Sequence, residues 1–389
     1  MFNFLSVSSV LSYIGYILLA IVVLLLMVLI HEFGHYCAGK ILKFEITEFS
    51  VGFGPKLLQK KKKNGELFTL RLIPLGGYCA FAGENEDGTD NPKAFNNQKP
   101  WKRLIVLFCG AFFNFLSAII FSFIALMACG YEQLQVKQIQ PTSINYTYLQ
   151  QDDIIYGVGG AKIDFVTDDM FDSLITTYVG ENYKTYSGTD LSKEYSFVEN
   201  EKTYYMVPSD LPFLIKRDGQ KFDQTGKVNV IYDAEGKLQG WSLYATYNAE
   251  ANDITIGYYK YNFGEALLYS VPFTCRWAWK VLVIFGQLLT GKLSITALGG
   301  PVTTIKSMAT MTMRSFNFLF LLLPLIAVNL AVFNLLPIPA LDGFQMIFVI
   351  IEWIRKKPVK REVVNMINNI GLIVLFAFVI IVDVLQFVL

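Results

Sequence analysis

Four apolar stretches constrain this chain more than anything else in it: Tyr13–Gly39, Leu104–Gly130, Phe316–Leu336 and Ile370–Leu389. A helix rises 1.5 Å per residue, so about 20 residues cross the roughly 30 Å of hydrocarbon in a bilayer. In lipid a backbone must satisfy its own hydrogen bonds, so each stretch is expected to be a helix. The composition agrees: 17% of residues are charged, against about 25% in soluble domains. A net charge of +1 offers no field for nucleic acid. The first stretch lacks the basic start of a secretory signal, exceeds its apolar length and carries two histidines, so it reads as a retained span. The segment Ala266–Leu289 is apolar too, but Arg276 and Lys280 share a face in its middle. It reads as an amphipathic helix at the membrane interface.

Charge sets the orientation. Lys60–Lys63 follow the first span, and Arg355, Lys356, Lys357, Lys360 and Arg361 follow the third. Basic loops stay in the cytoplasm. Both clusters demand the same arrangement, with the termini and the polar region Tyr131–Asn262 outside. None of the five cysteines falls in that region, which argues against a disulfide framework there.

The only two histidines lie in His31-Glu32-Phe33-Gly34-His35. Four residues apart on a helix, they project from one face and can grip one metal ion. Ionisable groups inside a membrane are costly and functional by default. Glu32, pointing elsewhere, suits a general base. With no third histidine, a third ligand must be a carboxylate or cysteine. Asp342 is a candidate, since Pro337 and Pro339 break the third span just before it. Irregular backbone at membrane depth is tolerated where it lines a cavity. The plainer role for Asp342, a turn or helix cap before Gly343, stays open here. His31 lies roughly 25 Å from the outer end of its span, near the cytoplasmic side, as does Asp342.

Together these residues resemble the site-2 protease family of intramembrane metalloproteases, closest to bacterial members that regulate sigma factors. The family's HExxH matches His31–His35, and its NxxPxPxLDG matches Asn334–Gly343. Phe53-Gly54-Pro55 and Arg71–Tyr78 are similar to its membrane-associated β-hairpin loop, here about residues 44–81. Trp101-Lys102-Arg103 leading to Gly110 and Asn114 resembles the GPxxN segment, and Gly299-Gly300-Pro301 the element before the third span. Ala111 replaces the usual proline and Phe344 the second glycine after LDG. The resemblance implies one Zn2+ per chain, held by His31, His35 and Asp342, with Glu32 as catalytic base. It implies substrate contacts at Asn334, Pro337 and Pro339. It implies cleavage, within the bacterial cytoplasmic membrane, of single-span membrane proteins such as anti-sigma factors and signal-peptide remnants.

The expected fold is a polytopic α-helical membrane protein in three parts. Residues 1–130 form a first membrane half, 131–262 an inserted extracytoplasmic PDZ-like β domain, and 263–389 a second membrane half. The middle part is similar to PDZ domains at Asp152–Gly160 and Phe213–Gly219, with Gly180–Tyr205 read as an insertion. Such a domain suits peptide capture by strand addition or size filtering. Leu67–Ile73 alternates in polarity and reads as a strand edge for an unwound substrate helix. The competing readings are a prenyl-protein peptidase, a metal transporter, and a catalytically weak scaffold binding peptides through the PDZ-like domain. Intact Glu32 speaks against the scaffold, and the concentration of ligands in two motifs against the transporter.

Overall fold

The structure is a computed structural model that describes residues 7–84, 90–130, 133–163, 168–188, 190–191, 194–245, 253–293 and 299–388. The expected domain start at Tyr131 and the last residue of the expected fourth span, Leu389, lie outside these. The chain divides into two compact units, residues 126–262 and the remainder on either side of them.

In the larger unit, α1 (Val7–Ile41) is followed by β1 (Ile46–Lys61), β2 (Leu67–Phe81) and α2 (Pro100–Ala128). After the insertion come α4 (Phe263–Leu289), α5 (Pro301–Arg314), α6 (Asn317–Leu335), α7 (Asp342–Arg355) and α8 (Arg361–Val388). Among the described residues, four helices are long and apolar enough to cross a membrane: α1, α2, α6 and α8. They cover the four stretches expected to do so. The last begins at Arg361 rather than Ile370, because its polar first turns also form helix. Arg361 there donates to Glu352 of α7 at 3.0 Å, and Arg103 of α2 donates to the other Glu352 oxygen at 2.6 Å. This buried trio ties three helices together on one carboxylate.

The expected helix over 266–289 forms as α4, and protein covers one side of it. Phe263 meets Phe123 of α2, Thr274 shares a 2.9 Å hydrogen bond with Ser122, and Phe285 meets Phe333 of α6. Its other side exposes Leu267, Leu268, Val271 and Trp279. A core of Ala20, Val23 and Met27 (α1), Ala118 (α2), Met308 (α5) and Val328 (α6) joins the helices.

β1 and β2 pair in a folded-over register. Phe49 pairs with Cys79 on one side and Phe68 on the other, while Phe68 also pairs with Lys60. Leu67–Leu70 is therefore flanked on both sides, and the expectation of a substrate-pairing edge there is corrected. Alternation in polarity cannot distinguish an inner strand whose two faces differ from an edge strand. Among the described residues, Gly77–Phe81 pairs with β1 along one side only. Arg71 anchors the pair, donating to Ser50, Gly54, Glu48 and Tyr78.

The smaller unit contains β3 (Leu134–Ile139), β4 (Ile154–Val158), β5 (Ala161–Lys162), α3 (Asp168–Asn182), β6 (Tyr195–Glu199), β7 (Lys202–Arg217), β8 (Gln220–Asp233), β9 (Leu238–Ser242) and β10 (Ile254–Tyr258). The sheet runs β10-β3-β4-β7-β8-β9, with β5 on β4 and β6 on β7. Among the described residues, every strand pairing in it is antiparallel. In β7, Leu211, Phe213 and Ile215 alternate inward to a core with Ile155, Ile175 and Val230. Its turn into β8 is Asp218-Gly219, both at positive φ, the conformation that two-residue hairpin loops select.

Candidate metal and catalytic site

α1 carries His31, Glu32 and His35 on its last three turns. Their helical spacing turns both imidazoles toward the end of α6 and the start of α7. Nε2 of His31 and Nε2 of His35 lie 3.1 Å apart. Asp342 Oδ2 lies 2.9 Å from the first and 3.2 Å from the second. One ligand atom from each residue falls within 4.8 Å of the others. Oδ2 is buried, yet among the described residues no hydrogen bond of ordinary geometry reaches it. Two ring nitrogens and an orphaned carboxylate oxygen converging on one point are a donor set that fits a metal ion of the zinc type.

Two glycines make room for this. A Cβ on Gly110 of α2 would stand 2.4 Å from His35 Nε2 and 2.7 Å from His31 Cε1. A Cβ on Gly34 would stand 2.3 Å from the Cys109 carbonyl oxygen, so α1 and α2 approach closely beside the histidines.

Asp342 arrives by a different route. α6 ends at Leu335, Ala340 takes a left-handed backbone with φ 76°, and α7 begins at Asp342. Such strain in a non-glycine residue persists where surrounding structure enforces it. The N-cap of α7 is Leu341, whose side chain makes no capping hydrogen bond. The Asp342 carboxylate faces the histidines instead. A Cβ on Gly343 would stand 2.4 Å from the Leu335 carbonyl oxygen, so only glycine lets α7 start this close to the end of α6.

The surroundings hold the donors in place. His35 Nδ1 donates to the Val106 carbonyl of α2 at 2.8 Å. Near His31 Nδ1 are two amides, Asn334 at 3.2 Å and Asn114 at 3.4 Å. Glu32 Oε2 accepts the Cys79 backbone N–H of β2 at 2.9 Å. A cavity of about 330 Å3 is lined by Glu32, Tyr78, Asn114, Asn334, Asp342 and Gln345 along with both histidines. Of the residues expected to meet substrate, Asn334 lines the cavity and Pro337 and Pro339 do not. Pro339 packs on α8, where a Cβ on Gly371 would stand 2.1 Å from its own Cβ. Val106 and Cys79 act through backbone atoms, and nothing in their side chains could have flagged them.

A model of peptidase family M50 matches residues 19–378. A protein of Clostridium perfringens named as a candidate zinc metalloprotease is 29% identical over 372 residues, covering 95% of this chain and 97% of that protein. One of Fusobacterium nucleatum with the same designation is 27% identical, covering 94% and 97%. One of Pasteurella multocida, likewise designated, is 28% identical, covering 92% and 95%. The family pattern thus runs through both compact units, and the chain belongs to peptidase family M50.

Proposed function

We propose that this protein is a zinc metalloprotease that cuts single-span membrane proteins within the bilayer. One observation carries the reading: three ligand atoms from His31, His35 and Asp342 converge within 4.8 Å in an apolar helical unit, with Glu32 beside them on the same cavity. His31, His35 and Asp342 would hold one zinc ion. Bound zinc would supply a water of pKa near about 7 and a Lewis acid for the scissile carbonyl.

The side chains supply the rest. Glu32, steadied by the Cys79 N–H at 2.9 Å, takes a proton from water and returns it to the leaving amine. The Asn334 amide, on the cavity wall, donates to the carbonyl oxygen as negative charge develops there. A transmembrane helix hides its carbonyls in internal hydrogen bonds. The strand edge at Gly77–Phe81, which holds Glu32 through Cys79, offers a substrate backbone new partners once its helix opens. Anti-sigma factors and signal-peptide remnants are the substrate class. The inserted unit is PDZ-like and extracytoplasmic. The membrane is the bacterial cytoplasmic membrane, with the active site toward the cytoplasm and β1 and β2 associated with the bilayer.

The test compares cleavage of a single-span model substrate by wild type and Glu32→Gln, with zinc content measured for His31→Ala and Asp342→Ala. Glu32→Gln should keep its zinc and lose at least about 100-fold in cleavage rate. Both ligand variants should lose zinc. Equal cleavage by Glu32→Gln, or full zinc content in the ligand variants, would overturn the reading.

A further inference from the structure

We propose that Asn114 is a positioning residue that fixes the protonated ring nitrogen of His31, leaving Asn334 as the amide that serves substrate. This rests on the zinc reading above.

The argument starts from the other histidine. A carbonyl oxygen only accepts, so the 2.8 Å contact with Val106 places a hydrogen on His35 Nδ1 and a lone pair on Nε2. His31 Nε2 faces the same point, 3.1 Å from His35 Nε2 and 2.9 Å from Asp342 Oδ2. To offer a lone pair there, His31 must also carry its hydrogen on Nδ1. That hydrogen needs an acceptor, and the groups beside Nδ1 are the amides of Asn114 and Asn334.

As placed, both amides turn their nitrogens toward Nδ1, and Asn114 Oδ1 is buried with no hydrogen-bond partner among the described residues. An amide can be turned end for end without changing its shape. Turning Asn114 puts Oδ1 against the His31 Nδ1–H and removes the orphan. One change satisfies two buried groups, each worth about 1–3 kcal/mol if left unmade.

Burial decides which asparagine takes the role. Asn114 is fully buried at 0% exposed, whereas Asn334 is half-buried. Asn114 also sits one helical turn beyond Gly110, so one face of α2 provides both the clearance for the imidazoles and the acceptor for one of them. Once Nδ1 carries hydrogen, it cannot accept from Asn334. The Asn334 NH2 is then available to an oxygen in the cavity. The two asparagines divide the work: the deep one sets the ligand, the one in the last turn of α6 meets substrate.

The test measures zinc affinity of the detergent-solubilised full chain by competition with a chromogenic chelator, alongside cleavage of the single-span substrate. Asn114→Leu, similar in shape but without an acceptor, should weaken zinc binding roughly 10–100-fold. Asn114→Asp keeps an acceptor and should retain affinity close to wild type, which separates lost positioning from misfolding. Asn334→Leu should bind zinc as wild type does and lose cleavage. The inference is overturned if Asn114→Leu binds zinc as wild type, if Asn114→Asp is as weak as Asn114→Leu, or if Asn334→Leu loses as much zinc as Asn114→Leu. If His31→Ala also keeps its zinc, the zinc reading itself has failed. If His31→Ala loses zinc while Asn114→Leu does not, only the role of Asn114 falls.

Discussion

A methyl group at position 110 would meet His35 Nε2 at 2.4 Å, inside any real contact distance. Gly110→Ala must therefore move an imidazole or separate α2 from α1. Displacements near 1 Å at a catalytic centre cost roughly 100-fold. We expect a loss of that order in cleavage, with reduced zinc content by metal analysis, while far-UV circular dichroism stays unchanged. At this scale the sequence was legible where chemistry is scarce. Two histidines, a glutamate and an aspartate in apolar surroundings stand out, and the structure brings their side chains together. The Cys79 N–H and the Val106 carbonyl were not legible, because every residue carries those groups and only the tertiary path selects one of them. Pro337 and Pro339 explain the broken backbone before Asp342, but neither reaches the cavity.

The elements were legible to the extent that the bilayer dictates them. Hydrocarbon thickness sets a length, so α1, α2, α6 and α8 announce themselves. α5 and α7 are each 14 residues long, too short to be read that way, and α7 runs into a basic segment that looks like loop. The fold of β1 on β2 depends on register, which a period of two leaves undetermined. The turn between these strands is fastened to α1 through Glu66, whose side chain is 1% exposed and accepts from Lys40 and from Lys62, the latter at 2.8 Å. Burial opposes the charge, but the lysine hydrogen bonds outweigh it and bring the Glu66 carboxyl down from 4.5 to about 2. A depressed carboxyl stabilises above its unfolded value and loses that contribution as pH falls through its folded value. Glu66→Gln should thus lower stability by about 1–2 kcal/mol near neutral pH. The lysines are partly exposed, so this sits at the low end for charged hydrogen bonds. The gap between variant and wild type should close as pH falls from 4.5 toward about 2, read by thermal unfolding in micelles. A gap independent of pH would exclude the ion pair as its source.

Across the whole molecule, the two units are built on separate cores. Phe213 is fully buried among residues of the 126–262 unit, while Met27 and Val328 belong to a cluster drawn from the helices. Phe213→Ala should destabilise the inserted unit by about 3–5 kcal/mol. Protease sensitivity within β7 and β8 should rise while zinc content holds. Loss of zinc in that variant would mean that the two units unfold together. Orientation is tested separately with an impermeant maleimide on intact cells. A cysteine at Ser196 should react and one at Lys356 should not, and the reverse pattern would invert the topology. The two-unit division was visible in the sequence as a polar region between apolar stretches. The order of its strands was not, since β7 and β8 pair locally whereas β10 returns across the unit to β3.

The proposed ligands come from far apart along the chain: His31 lies on α1 and Asp342 starts α7, with the inserted unit, residues 126–262, between them in sequence. The zinc ion we propose there would join α1 to α7 as a clasp on a very large loop. The entropy of closing a loop grows only with the logarithm of its length, about 0.6 kcal/mol for each doubling. Lengthening, trimming or exchanging the inserted unit would change that term by a fraction of a kcal/mol. The proposed clasp would in this respect be indifferent to what the loop contains, so a change in the length of the inserted unit would alter the closure of the site very little.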